Sequence, residues 1–198
     1  MSETLTPEVE IVGPPRFTQD VLGWHPWLHP LDESELTEEH LESLVQASRA
    51  KNPYFRLLAR DPAALLERTK TDFDIFYNTK AGLPRADREL AATAASRLNG
   101  CVYCASVHSA FASHHSKRRE EVQRLLDEGV DADLGARWNA IVRATVALTR
   151  MPVRFGEAEI VLLREAGLDE LEILDAIMSG AFFNWANRLM LSLGEPTT

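Results

Sequence analysis

Apolar residues recur at three- and four-residue intervals along most of this 198-residue chain, and no stretch alternates apolar with polar as a half-buried strand does. That pattern predicts an all-α fold, a single domain of about eight helices. Thr37 reads as an N-cap, with Glu38 and Glu39 in the first turn and Leu41, Leu44 and Val45 on one face. Asn52-Pro53 and Asp61-Pro62 each pair a capping side chain with a proline suited to the first helical position. The second pair opens a segment that offers Leu65, Leu66, Phe73 and Phe76 to the core, with a stop at Gly82.

Pro84 opens an alanine-rich helix whose small residues Ala91, Ala92, Ala94 and Ala95 let a neighbour approach closely, and Asn99-Gly100 ends it. Further helices are predicted at about 102–114 and 117–128, the latter ending at Gly129. Three more stop before Met151-Pro152, at Gly167 and at Gly194, the last beginning with the capping pair Asp169 and Glu172. Gly180 inside that helix costs about 1 kcal/mol relative to Ala, which points to close packing or a kink.

Residues 1–36 break the helical pattern. Pro7, Pro14, Pro15, Pro26 and Pro30 punctuate them, yet Phe17, Leu22, Trp24, Trp27 and Leu28 are too apolar for a disordered tail. They predict an extended Pro/Trp-containing N-terminal arm, laid over the helical domain 37–198 or over a neighbouring subunit. His25 and His29 within it read as surface or packing residues.

Charge narrows the function classes. A net charge of -9 argues against nucleic acid as a partner, because phosphate binding needs concentrated Lys and Arg. The one basic cluster, Lys117-Arg118-Arg119, runs straight into Glu120 and Glu121 and reads as a solvated helix face. Met1 to Gly13 has no secretory pattern, and no apolar run reaches the ~18 residues that cross a bilayer, so no membrane partner and a cytoplasmic location are expected. In a reducing compartment a C-x-x-C is catalytic or metal-binding rather than structural.

The only two cysteines, Cys101 and Cys104, form that motif at a helix start, where backbone N–H groups and the helix dipole favour a thiolate. At i and i+3 their sulfurs share a face, and His108 stacks one turn beyond Cys104. Glu89 precedes the Gly100 turn by eleven residues and His108 follows it by eight. In an antiparallel pair the offset is roughly 4.5 Å, within reach of a Glu side chain. Glu89, His108 and Cys104 can then form a proton relay, provided that Glu89 faces inward.

Three other readings compete. Zinc on Cys101, Cys104, His108 and His114 or His115 would draw every ligand from consecutive helical turns, whereas tetrahedral sites recruit a second element. A thioredoxin-like exchange site needs a preceding strand that is not evident, although general thiol–disulfide exchange stays open. The cysteines could also be inert core residues of a non-catalytic, oligomeric binding protein. Trp138, Phe182, Phe183 and Trp185 read as core, with some available to wall a substrate channel, while Asn184, Asn187 and Arg188 need polar partners.

The spacing E-x11-C-x2-C-x3-H formed by Glu89, Cys101, Cys104 and His108, together with FFNWANRL at 182–189, resembles the peroxidase-related branch of the alkylhydroperoxidase D-like and carboxymuconolactone decarboxylase-like proteins. The resemblance spans about residues 50–195 and does not account for the arm. It implies a cofactor-free, metal-free peroxidase of that helical fold. Cys104 would attack a hydroperoxide, Cys101 would resolve the sulfenic acid to a disulfide, and His108 and Glu89 would handle protons. A dithiol donor, such as a lipoyl or thioredoxin-like protein, would reduce the disulfide. A homo-oligomer is expected from the resemblance and from the amphipathic helices. Some relatives carry a histidine just before the second cysteine, where this chain has Tyr103.

Overall fold

The structure is a computed structural model that describes residues 13–198 apart from Pro15 and Thr79. Residues 1–12, on which the leader expectation and the start of the arm fall, lie outside the described residues. Among the described residues there are nine α-helices, two 3-10 turns (Glu33–Glu35 and Ala47–Lys51) and one two-stranded ribbon. The helices are α1 (Glu38–Leu44), α2 (Pro53–Leu58), α3 (Pro62–Tyr77), α4 (Arg85–Leu98), α5 (Val102–Ser116), α6 (Arg119–Glu128), α7 (Ala136–Thr149), α8 (Glu157–Glu165) and α9 (Glu170–Leu193). The all-α expectation holds.

The caps form where the sequence places them. Thr37, Asn52, Asp61 and Asp169 each accept a backbone N–H of the first turn with a side-chain oxygen, satisfying donors that a helix start leaves open. Gly180 marks close packing rather than a break: a Cβ there would sit 3.2 Å from Leu148 and 3.3 Å from Thr145, so α9 runs through it pressed against α7.

Helix α4 is the axis of the molecule. Its residues Asp87 to Ser96 are all buried, with α5, α7 and α9 packed around them. A helix enclosed on every side is normally apolar, yet α4 carries Asp87, Arg88 and Glu89 in succession, so each needs a partner of its own. Asp87 takes Arg137 Nε at 3.0 Å and Trp138 Nε1 at 2.8 Å, both from α7. Arg88 donates to the carbonyls of Leu83, Ile75 and Ala81 and pairs with Asp175 of α9 at 2.9 Å. Glu89 turns toward α5. On one side of α4 lies an apolar core of Leu90, Trp138, Ile141 and Leu163, and on the other a second that includes Cys101, Cys104, Phe76 and Phe183.

Two expectations need correction. The ribbon pairs β1 (Gly23–Pro26) antiparallel with β2 (Gly194–Thr197), joining the predicted arm to the segment after α9. Four residues are too few for alternation to stand out, and four of the eight paired residues are Gly or Pro, which sequence patterns read as breakers. Gly194 permits the join, because a Cβ there would collide with the His25 carbonyl oxygen and the Trp24 ring. The arm therefore packs on its own chain: Trp24 is buried edge-on against Tyr54, and Gln19 bonds Gln123 at 3.0 Å. The basic cluster is not merely solvated either. Arg118 lies 3.8 Å from the centre of the Trp138 ring and donates to the Leu134 carbonyl at 2.6 Å.

Candidate active site

The turn at Gly100 sets the geometry of the site. Gly100 takes a left-handed backbone with φ of 77°, which only glycine adopts without strain, and folds α5 back along α4. Cys101 becomes the N-cap of α5 and Cys104 lies in its first turn. The two are unbridged and buried.

Glu89 faces inward, as the relay requires. It is 1% exposed, and its Oε2 lies 2.6 Å from His108 Nδ1. A carboxylate accepts, so Nδ1 donates in this pair, which leaves Nε2 as the ring nitrogen free of it. The other carboxylate oxygen accepts from Arg85 Nε at 3.0 Å. The ring of His108 is clamped by Phe183, with centroids 4.0 Å apart, and by Phe76 at 5.3 Å. One α4 residue thus holds an α5 imidazole whose free edge faces a cavity.

That cavity has a volume of about 230 Å³ and is lined by Cys104, His108, Glu89 and Arg85, by the aromatic rings of Tyr54, Phe55, Phe76, Tyr103 and Phe183, and by Arg49, Arg68 and Asp72. Cys101 does not line it. The two thiols therefore differ in access, Cys104 facing the cavity and Cys101 lying behind it.

They differ in acidity as well. The Cys104 thiol, the Cys104 backbone N–H and the Asn187 amide hold Cys101 below the usual cysteine range, against the opposing effect of burial. Cys104 is pushed well above that range, first by its bond to Cys101 and then by burial, with Asn187 and Arg68 acting the other way. The pair ionises in sequence, since a thiolate on one sulfur discourages a second beside it. The first negative charge resides on Cys101, held by the Cys104 proton.

Asn187 reaches this pair from α9. It is fully buried, donates to Ser96 Oγ at 3.0 Å and accepts from Asn99 Nδ2 at 3.1 Å. Asn99 also donates to Asn184 at 3.1 Å, so the Asn184 and Asn187 of the α9 segment lock the Gly100 turn from below. Arg188 points elsewhere and is exposed. Burial pushes the Tyr103 hydroxyl up, and that hydroxyl accepts from Asn52 Nδ2 at 3.3 Å at the cavity wall.

Residues 62–147 match the sequence profile of the carboxymuconolactone decarboxylase family. That match covers the stretch that carries Glu89, Cys101, Cys104 and His108. Solved structures share the fold. A peroxidase-related protein with an alkylhydroperoxidase AhpD core from Ralstonia eutropha JMP134 is 20% identical, with 90% of this chain and 93% of that one covered at a TM-score of 0.73. A peroxidase-related protein from Silicibacter sp. TM1040 is 22% identical over 98% and 96% of the two chains, with a TM-score of 0.68. The debrominase Bmp8 is 16% identical over 85% and 90%, also with a TM-score of 0.68. No curated protein matches in sequence.

The four residues singled out by spacing lie together, but the wider site has parts that spacing did not reveal. Arg85 stands at i-4 from Glu89, a helical ion-pair signal visible in the sequence. Arg49 and Arg68 carried no comparable signal toward the cysteines. His114 and His115 are exposed at the far end of α5, some 15 Å along the helix from Cys104 at ~1.5 Å per residue. Among the described residues no three His, Cys, Asp or Glu side chains converge as metal ligands, and no helix is long and apolar enough to cross a membrane.

Proposed function

We propose that the chain is a thiol-dependent peroxidase that reduces a small organic hydroperoxide through a dithiol–disulfide cycle of Cys101 and Cys104. One observation carries this reading: Cys104 opens on an aromatic-walled cavity beside an imidazole whose Nδ1 is fixed by a buried carboxylate. In the cycle, Cys104 passes its proton toward His108 and its sulfur attacks the terminal peroxide oxygen. The O–O bond breaks, leaving a sulfenic acid on Cys104 and an alkoxide that takes the proton from His108 as alcohol. The Cys101 thiolate then attacks the Cys104 sulfur, forming the disulfide and expelling hydroxide, which takes a proton from solvent and leaves as water. The lowered pKa of Cys101 suits that second step, because it favours the thiolate form of the resolving sulfur. Arg85 holds the other oxygen of Glu89, which keeps the carboxylate aimed at His108.

A dithiol donor returns the pair to the reduced state. The size of the cavity, about 230 Å³, favours a small oxidant over a protein disulfide as the group that meets Cys104. Apolar side chains exposed along α9, among them Leu174, Met178 and Trp185, support assembly into a homo-oligomer.

Stopped-flow measurement of hydroperoxide consumption tests the reading. Wild type should consume peroxide with loss of both thiols. Cys104→Ser should be inactive, and Cys101→Ser should stop after one turnover. Wild type that leaves peroxide untouched but exchanges readily with small disulfides would replace the peroxidase reading with thiol–disulfide exchange.

A further inference from the structure

The cavity contains more positive charge than the proton relay uses. Three guanidiniums line it, Arg49, Arg68 and Arg85, against two carboxylates, Asp72 and Glu89. Arg85 and Glu89 satisfy each other. Arg49 and Arg68 do not reach balance, because both lean on the same oxygen of Asp72, at 3.3 Å each. Those contacts are longer than the ~2.7–2.9 Å of a strong charge-assisted pair. One cation is left over in a site where the Arg49 and Arg68 side chains are only 13% and 10% exposed.

The donors tell the same story. Among the described residues, six buried side-chain nitrogen or oxygen atoms have no partner, and two of them are Arg49 Nη1 and Arg68 Nε. A buried N–H without an acceptor is costly, and a buried cation in excess more so. Neither arginine is there by default, for aromatic rings hold both in place. Arg49 lies 4.7 Å from the centre of Phe55 and 4.8 Å from Phe73, while Arg68 lies 5.3 Å from Phe182 and 5.6 Å from Phe55.

We infer that Arg49 and Arg68 form an anion subsite in this cavity, and that the substrate is a small organic molecule with a single carboxylate at one end and its reacting group at the other. Two planar forks with unpaired donors match a carboxylate. One surplus positive charge is neutralised by a monoanion, whereas a phosphate dianion would leave the site negative. The rings of Phe76 and Phe183 give the apolar middle of such a molecule a wall, with Cys104 and His108 beyond it. Arg68 also lies close enough to Cys104 to oppose the rise in its pKa, which puts anchor and thiol within one field. The inference rests on the reading above that substrate meets Cys104 in this cavity.

Calorimetric titration of the reduced protein with benzoate and with benzamide, which share size and shape, tests the subsite without turnover. Benzoate should bind and benzamide should bind at least about tenfold more weakly, as for loss of a charge-assisted contact. Arg68→Met and Arg49→Lys should each weaken benzoate by about tenfold or more and leave benzamide unchanged; the lysine variant retains the charge toward Asp72 and guards against a folding defect. Turnover supplies the second arm, with a carboxylate-bearing aryl hydroperoxide compared with its methyl ester. The acid should have the higher kcat/KM through a lower KM, and Arg68→Met should erase the difference. Equal binding of benzoate and benzamide, or an acid preference untouched by both variants, overturns the subsite. Peroxide turnover without acid preference would refute this inference alone, and benzoate binding without any peroxide turnover would refute the peroxidase reading alone.

Discussion

Two groups of buried arginine are treated in opposite ways. Arg88 is fully committed to the fold: its donors reach one carbonyl of α3, two of the α3–α4 connection and the Asp175 carboxylate of α9. Arg49 and Arg68 share a single carboxylate oxygen and retain buried N–H groups with no partner. A guanidinium surrounded by carbonyls is a structural rivet, because every donor it carries has been satisfied on folding. A guanidinium propped on phenylalanine rings with donors to spare is available to something else. The contrast separates framework from site more sharply than burial does, since all three side chains are largely buried.

The largest effect that would sharpen this contrast is on stability. Arg88→Met should lower the unfolding free energy by about 3–5 kcal/mol, since it removes the ion pair to Asp175 and the donors to three carbonyls. Arg68→Met leaves Asp72 paired with Arg49 and should cost roughly 1 kcal/mol or less. Urea denaturation of the two variants compares them directly, and equal losses would abolish the distinction.

Next in size is a change of rate. Glu89→Gln retains the shape of the site but removes the charge that holds His108 and Arg85, so peroxide reduction should fall by roughly 10²-fold or more. A stopped-flow assay at saturating substrate reads it. Retention of the wild-type rate would reduce Glu89 to the same structural status as Arg88.

A smaller effect concerns the thiols themselves. The first proton of the pair should leave below the ordinary cysteine range, followed through ultraviolet thiolate absorbance against pH. Cys104→Ala removes the main donor to the Cys101 thiolate, so the inflection should move to higher pH. An inflection that does not rise would show that the Cys104 thiol does not stabilise the Cys101 thiolate.

Much of this was legible in the chain. Asn99-Gly100 announced the hairpin of α4 and α5, and counting residues on either side of it put Glu89 opposite His108, where the two bond at 2.6 Å. Capping residues marked four of the nine described helix starts, because a cap depends on neighbours within three residues. What stayed hidden depends on distant partners. Arg49 sits in a 3-10 turn and meets Asp72 from 23 residues away, and Asn187 reaches Ser96 across 91. The β1–β2 ribbon joins segments almost at opposite ends of the chain, each only four residues long. No local pattern encodes such meetings; they follow from how α3, α4 and α9 pack.

The order of events at the two sulfurs is the centre of the account, and intact mass after one equivalent of hydroperoxide tests it most directly. Wild type should lose two hydrogens, Cys101→Ser should gain one oxygen at Cys104, and Cys104→Ser should remain unchanged. An oxygen found on Cys101 in the Cys104→Ser protein would contradict it, because the sulfur behind the cavity would then be the one that meets the peroxide.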